Sequence, residues 1–228
     1  MDSDGIRFPR ETSIASEFPT GFSGWKHKGA AAMNESARPL GGRLPLADPA
    51  TLATAQRELY DQLIGSWVVF TDKLGIRSTT EDGRLIGPFN ALLLHPEVTA
   101  KLLEFQAAES THTGLSPSVR EVVIIVLGSV YGADYELYAH KSVARTAGLA
   151  DDHVVALSGG SIPEGLGEHE QLAARLTQAL ATRHHVDDDL YQQAESAFGA
   201  KGLFDIAAVM GVYHTVCTML TLFEVPAP

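Results

Sequence analysis

Glu136 and His140 stand four residues apart in the stretch Ala133-Asp134-Tyr135-Glu136-Leu137-Tyr138-Ala139-His140. On a helix this spacing puts both side chains on one face, where they can hydrogen-bond or address one ligand together. A carboxyl group and an imidazole in apolar surroundings suit acid–base chemistry. Burial destabilises the carboxylate, a neighbouring imidazolium compensates, and both groups are tuned towards neutral pH. Glu121 follows Arg120 and precedes the apolar run from Val122 to Leu127. It approaches the pair only if its helix and the next pack as a hairpin that brings them together. The plainer reading of Glu136 and His140 is a surface pair contributing roughly 0.2–0.5 kcal/mol. On that reading Glu121 favours the positive end of its helix and Arg120 is solvated. Tyr135 and Tyr138 flank the pair, and an aromatic beside a histidine packs more often than it reacts.

Other reactive residues form weaker patterns. His214 and Cys217, three apart on an apolar helix, share a face but read as packing, because cysteine is usually a small core residue. His184-His185 and Glu168-His169-Glu170 invite a metal reading, yet adjacent residues on a helix diverge by a quarter turn or more and do not converge on one ion. The sequence holds no Gly-rich phosphate loop, serine nucleophile elbow or zinc pattern. Neither a metal nor a cofactor is expected.

The elements that must position these residues are helical. Leu59, Tyr60, Leu63 and Ile64 recur at helical spacing behind Thr54, which suits a helix cap, and predict a helix to about Leu74. Asp82-Gly83 marks a turn, and Gly87-Pro88-Phe89-Asn90 leads into a short apolar stretch. Pro96 opens a helix with Val98, Leu102 and Phe105 on one face, and Ser116-Pro117 opens the next. Val122 to Leu127 is a β-branched run that propensity alone assigns to a buried strand. Its flanks read as a helix start instead, and a helix apolar all round belongs at the centre of a bundle. Ala133 to Ala147 is a helix closed by Gly148. Helices follow from Asp151, around Leu172, Leu176 and Leu180, around Leu190, Ala194 and Phe198, and from Gly202 to Phe223. No stretch reads as strand, so the fold class is all-α, a helical bundle. Residues 1–42 lack any sustained period and read as a poorly ordered tail, with Met33 an alternative start. Residues 43–228 form the domain.

The segment from Arg120 to His140 resembles the carboxymuconolactone decarboxylase and alkylhydroperoxidase-D family. In the peroxidase branch of that family a glutamate is followed at +12 and +15 by the cysteines of a Cys-x-x-Cys motif, and at +19 by a histidine. Counting from Glu121 gives Ala133, Glu136 and His140. Both cysteines are replaced while the outer glutamate and histidine keep their places, so the chain looks like the decarboxylase branch, in which a glutamate stands four before the histidine. Arg43-Leu44-Pro45, Gly87-Pro88-Phe89-Asn90, Ala147-Gly148-Leu149 and Phe223-Glu224-Val225-Pro226 extend the similarity. Thr221 departs from it, since relatives often carry an asparagine there; if that asparagine contacts substrate, the pocket here is altered.

The resemblance implies an alkylhydroperoxidase-D-like bundle, homo-oligomers such as trimers or hexamers, and a cofactor-independent lyase or isomerase acting on a small carboxylated lactone or enolisable acid. His140 is then the proton donor and Glu136 its orienting partner, with Glu121, Arg120 and Tyr135 completing the catalytic and substrate-binding set. Two alternatives stand beside it. A thiol peroxidase or disulfide reductase needs an attacking and a resolving thiol, and Cys217 is the only cysteine. A non-catalytic scaffold is the other.

Composition narrows the partners. Seventeen basic against twenty-eight acidic residues give a formal charge of -11, a mean field that repels nucleic acid and anionic membranes. A basic residue near the pocket would be needed to draw in a small anionic substrate. No apolar run is read as a membrane span and the acidic start is unlike a secretory signal, so a cytoplasmic enzyme is expected.

Overall fold

The structure, a computed structural model, describes residues 39–228. Their helices are α1 (Thr54–Leu63), α2 (Val69–Lys73), α3 (Pro88–Leu92), α4 (Pro96–His112), α5 (Pro117–Tyr131), α6 (Asp134–Thr146), α7 (Asp151–Ser158), α8 (Glu168–Arg183) and α9 (Asp188–Leu222). Among the described residues there is no β-strand, only a bridge between Thr79 and Leu85. The fold is an all-α bundle.

The bundle is built around α5. Val122, Val123, Ile124, Ile125 and Leu127 are all 0% exposed, because α6, α7, α8 and α9 pack on it from every side. Each such side chain contributes about 1.5–3 kcal/mol relative to staying in water, which outweighs the strand preference of a β-branched run. The local signals agree. Ser116 accepts a hydrogen bond from the Val119 amide, Pro117 occupies the first helical position, and Gly132 stops the helix in the left-handed region at φ 61°. That stop reverses the chain into α6, making α5 and α6 a hairpin.

A second, smaller core forms where Leu59, Leu63, Leu85, Phe89 and Leu92 meet. Here α1 and α2 are joined through a π-helical turn, Ile64–Val68. Gly87 sits at φ 64°, and a Cβ there would come within 2.3 Å of the Tyr135 ring, so only glycine fits. Tyr135 and Tyr138 secure the same loop. The Tyr135 hydroxyl donates to the Arg77 carbonyl at 2.8 Å, and the Arg77 amide donates to the Tyr138 hydroxyl at 2.9 Å.

Several expectations need adjustment. Ala53, not Thr54, is the cap of α1, its amide donating to the Gln56 side chain at 3.1 Å. Val98 and Phe105, expected to pack along one face of α4, are 59% and 46% exposed. Residues 1–38 of the expected tail lie outside the described residues. Pro39–Gly42, placed in that tail, instead form a turn. The Gly42 amide donates to the Pro39 carbonyl, and the next amide, of Arg43, donates to Phe223. An 18-residue window of α9 is apolar enough to cross a membrane, with a mean hydropathy of 1.5. Yet α9 is broken at Gly199 (φ 64°, ψ 171°), and Val209, Val212 and Cys217 beyond the break are fully buried in the main core.

Candidate functional site

The hairpin brings together residues that are 19 apart in sequence. His140 Nδ1 lies 2.7 Å from Glu121 Oε2, in hydrogen-bond geometry. On the other side of the ring, Nε2 lies 3.1 Å from Glu136 Oε1, close enough for an ion pair. That second contact lacks hydrogen-bond alignment, and Glu136 Oε1 is a buried oxygen without a hydrogen-bond partner. The imidazole is thus bracketed by two carboxyl groups, each nearly fully buried. Glu121 sits beyond the first turn of α5, so attraction to the helix end does not explain it. The surface-pair reading of Glu136 and His140 fails on burial.

Arg120 joins the group through a partner that sequence reasoning missed. Its Nη2 and Nε lie 2.8 Å and 3.0 Å from the two carboxylate oxygens of Glu109 on α4, a two-pronged pairing. The Glu109 side chain is 1% exposed. Arg120 Nη1 reaches Glu121 Oε1 at a looser 3.7 Å. Tyr213, from α9, completes the cluster: its ring lies under the Arg120 guanidinium and meets the His140 ring edge-on at 5.2 Å.

These contacts set the charges. Burial opposes an imidazolium at His140, but the Glu121 carboxylate, with that of Glu136, more than offsets it, and the pKa is held well above 6.5. Burial likewise opposes the Arg120 charge, and its bonds to Glu109 override that effect, moving its pKa upward. Burial raises the Tyr213 phenol above its ordinary 10.0, against the pull of His140 and Arg120. The flanking carboxyl groups thus favour the protonated ring of His140, and Glu136 Oε1 beside it has no hydrogen-bond donor.

The cluster forms part of the wall of a cavity of about 460 Å³. Arg120, Glu121, Glu136, His140 and Tyr213 line it, whereas most of the remaining wall is apolar, with Trp67 and Phe70 from the α1–α2 region and Phe89 from α3. The π-helical turn supplies Ser66 and Trp67 to this wall, and such turns often occur at sites. Tyr135 lends only its ring, since its hydroxyl is committed to Arg77.

The remaining residues singled out in the sequence lie elsewhere. Thr221 is exposed, donates to the Tyr131 carbonyl at 3.3 Å, and is not part of the cavity wall. The family-like segments Arg43-Leu44-Pro45 and Gly87-Pro88-Phe89-Asn90 meet through Asn90, whose amide donates to the Pro45 carbonyl and whose oxygen accepts from Ala47. Their role is to pin the entering chain. His169 packs against Phe198, Glu170 accepts from Ser118, and His184 ends α8. Glu109 and Tyr213 left no sequence signal beyond being an acid and an aromatic on helical segments.

Residues 96–179 match the model of the carboxymuconolactone decarboxylase family, a segment that includes Glu109, Arg120, Glu121, Glu136 and His140. Over this segment the chain is similar to that family, in keeping with the Glu121-to-His140 spacing. Two solved structures resemble it. One is the alkylhydroperoxidase AhpD core of an uncharacterized peroxidase-related protein from Ralstonia eutropha JMP134, 16% identical, with a TM-score of 0.62 over 84% of this chain and 94% of that one. The other is a variant of the debrominase Bmp8 in complex with 2,3,4-tribromopyrrole, 13% identical, with a TM-score of 0.60 over 82% and 94%. At these identities the likeness is one of fold. No curated protein matches the sequence.

Proposed function

We propose that the chain is a cofactor-independent acid–base enzyme, a lyase or isomerase that moves a proton at carbon in a small lactone or related enolisable carbonyl compound. The observation that carries this reading is the bracketed imidazole. The His140 ring, its pKa raised by the carboxylates on either side, lines a largely apolar cavity next to a buried carboxyl oxygen without a hydrogen-bond donor.

On this reading the roles differ from those read from sequence. Glu121, bonded to Nδ1, is the residue that orients the ring, as the buried carboxylate does in a serine-protease triad. Glu136 is left to act as the base. Its carboxylate takes the proton from the carbon next to the carbonyl, and Nε2–H of His140 delivers one to the oxygen or carbon where electron density accumulates. The apolar wall excludes water and strengthens both interactions. Cys217 is fully buried and burial pushes its thiol pKa up, which makes it a poor thiolate. With Ala133 and Glu136 at the positions of the peroxidase cysteines, a dithiol reaction is disfavoured. The neighbour bound to a brominated pyrrole supports a scaffold that admits small rings. We also propose a homo-oligomer, supported by the exposed Val98 and Phe204; light scattering reads the copy number.

The test is incubation with enolisable lactones and β-keto acids in D2O, followed by NMR. Deuterium uptake, double-bond migration or CO2 release, abolished by His140→Ala, is the expected result. Inertness across the panel would contradict the proposal.

A further inference from the structure

The acid–base cluster has an unequal charge count. Glu109, Glu121 and Glu136 supply three carboxyl groups to two cations, Arg120 and His140, a formal balance of 2 − 3 = −1. A substrate carboxylate needs a cation whose charge is not already matched. Of the residues lining the cavity these two are the candidates, and each is already paired with carboxyl groups of the protein. His140 faces a carboxyl group on each side of its ring. Arg120 is fixed by Glu109 at 2.8 Å and 3.0 Å, in the bidentate geometry through which a guanidinium would otherwise receive a substrate carboxylate. The chain's formal charge of -11 adds no attraction for an anion. The remaining wall, with Trp67, Phe70, Phe89 and Leu102, offers apolar surface.

We infer that Glu109 sets the charge of the substrate: by occupying Arg120 it makes the cavity a site for an uncharged ring compound, such as a neutral aryl or alkyl lactone, and closes it to carboxylates. This rests on the acid–base reading above and narrows its substrate class, favouring proton transfer or isomerisation over loss of CO2. Glu109 does not itself line the cavity. It is a positioning residue acting through Arg120, and its effect is read as a change in charge preference, which a purely structural role would not produce.

The experiment is equilibrium binding by the fluorescence of the parent's tryptophans, one of which, Trp67, lines the cavity, with calorimetry as a check. The probes are dihydrocoumarin, an uncharged aryl lactone, and 3-phenylpropanoate, an anion of similar size. The parent is expected to bind dihydrocoumarin at least tenfold more tightly than 3-phenylpropanoate. Glu109→Gln, which releases Arg120, is expected to gain tenfold or more for the anion with little change for the lactone. Glu109→Asp, which keeps the charge, should retain the parent's preference. Equal or tighter binding of the anion by the parent, binding of neither probe, or an unchanged ratio in a folded Glu109→Gln overturns the inference. If circular dichroism shows that Glu109→Gln does not fold, the parent's own ratio still decides. Lactone binding without proton exchange would remove the catalytic reading and leave the charge assignment standing.

Discussion

His140 on α6 and His214 on α9 were both conspicuous in the sequence, each with a reactive neighbour at helical spacing, and the protein treats them in opposite ways. His140 lies between Glu121 and Glu136, and its pKa is driven up. His214 turns to Tyr131, whose hydroxyl lies 3.0 Å from Nδ1. Burial lowers its pKa, helped by the charge of His184. Its sequence partner, Cys217, is sealed in the core. Spacing on one helix decides only which residues share a face. What that face meets on other helices decides whether a pair becomes an ion-paired site or packing.

The largest expected effect separates the two histidines by kinetics. His140→Ala should lower turnover by about two to four orders of magnitude, the scale of losing a general acid or base, while His214→Ala leaves turnover unchanged. The His140 variant should also lose stability at neutral pH, because Glu121 and Glu136 are left buried without their cation. Acidification, which protonates a carboxyl, should restore part of it. A parent-like rate in His140→Ala, or an equal loss in His214→Ala, would break the comparison.

Glu136→Gln, which removes the base, should also cost about two to four orders of magnitude in turnover, and a smaller effect is expected for Glu121→Gln, which leaves both acid and base in place. Each removes a charge that raises the His140 pKa. The alkaline limb of the pH–rate profile should therefore move to lower pH, and further for Glu121→Gln, whose carboxylate has the larger influence. An unmoved limb would mean that another group sets it.

Stability against pH sharpens the contrast further. The folded pKa of His140 is raised, so its contribution is complete below about 6.5, the unfolded value, and is lost as pH rises through the folded value. The folded pKa of His214 is lowered, so its contribution is present above the unfolded value and fades as pH falls through the folded one. Melting curves across the pH range should show the alkaline loss shrink in His140→Ala and the acid loss shrink in His214→Ala. Smallest of all, Cys217→Ser should cost about 1–3 kcal/mol of stability for a hydroxyl placed in an apolar core and leave turnover intact. Turnover that disappeared with the thiol would restore a redox reading.

Much of this architecture can be read along the chain because its signals are local. Ser116-Pro117 and Gly132 bound α5, Gly148 follows α6, and Gly199 breaks α9 between the two helices that its apolar pattern separates. The Glu136–His140 pair is local too. Glu121 could be joined to it only through the family spacing, since nothing in one chain's pattern fixes how two helices of a hairpin are offset. Glu109 was out of reach. An acid on a helix that also exposes Val98 and Phe105 looks solvated until the fold buries it against Arg120. The cavity wall is assembled from the α1–α2 region, α3, α4 and α9, and Thr221 was given weight by the same family pattern although it lies outside that wall.

Titration of the histidine ring nitrogens by NMR in the resting protein tests the central claim most directly. His140 should be doubly protonated at pH 7 and lose its proton only well above 6.5, with a lower midpoint in Glu121→Gln, while His214 titrates below 6.5. A neutral His140 ring at pH 7, or a midpoint unmoved by removing the Glu121 charge, would contradict the account of a bracketed imidazolium acting as the acid.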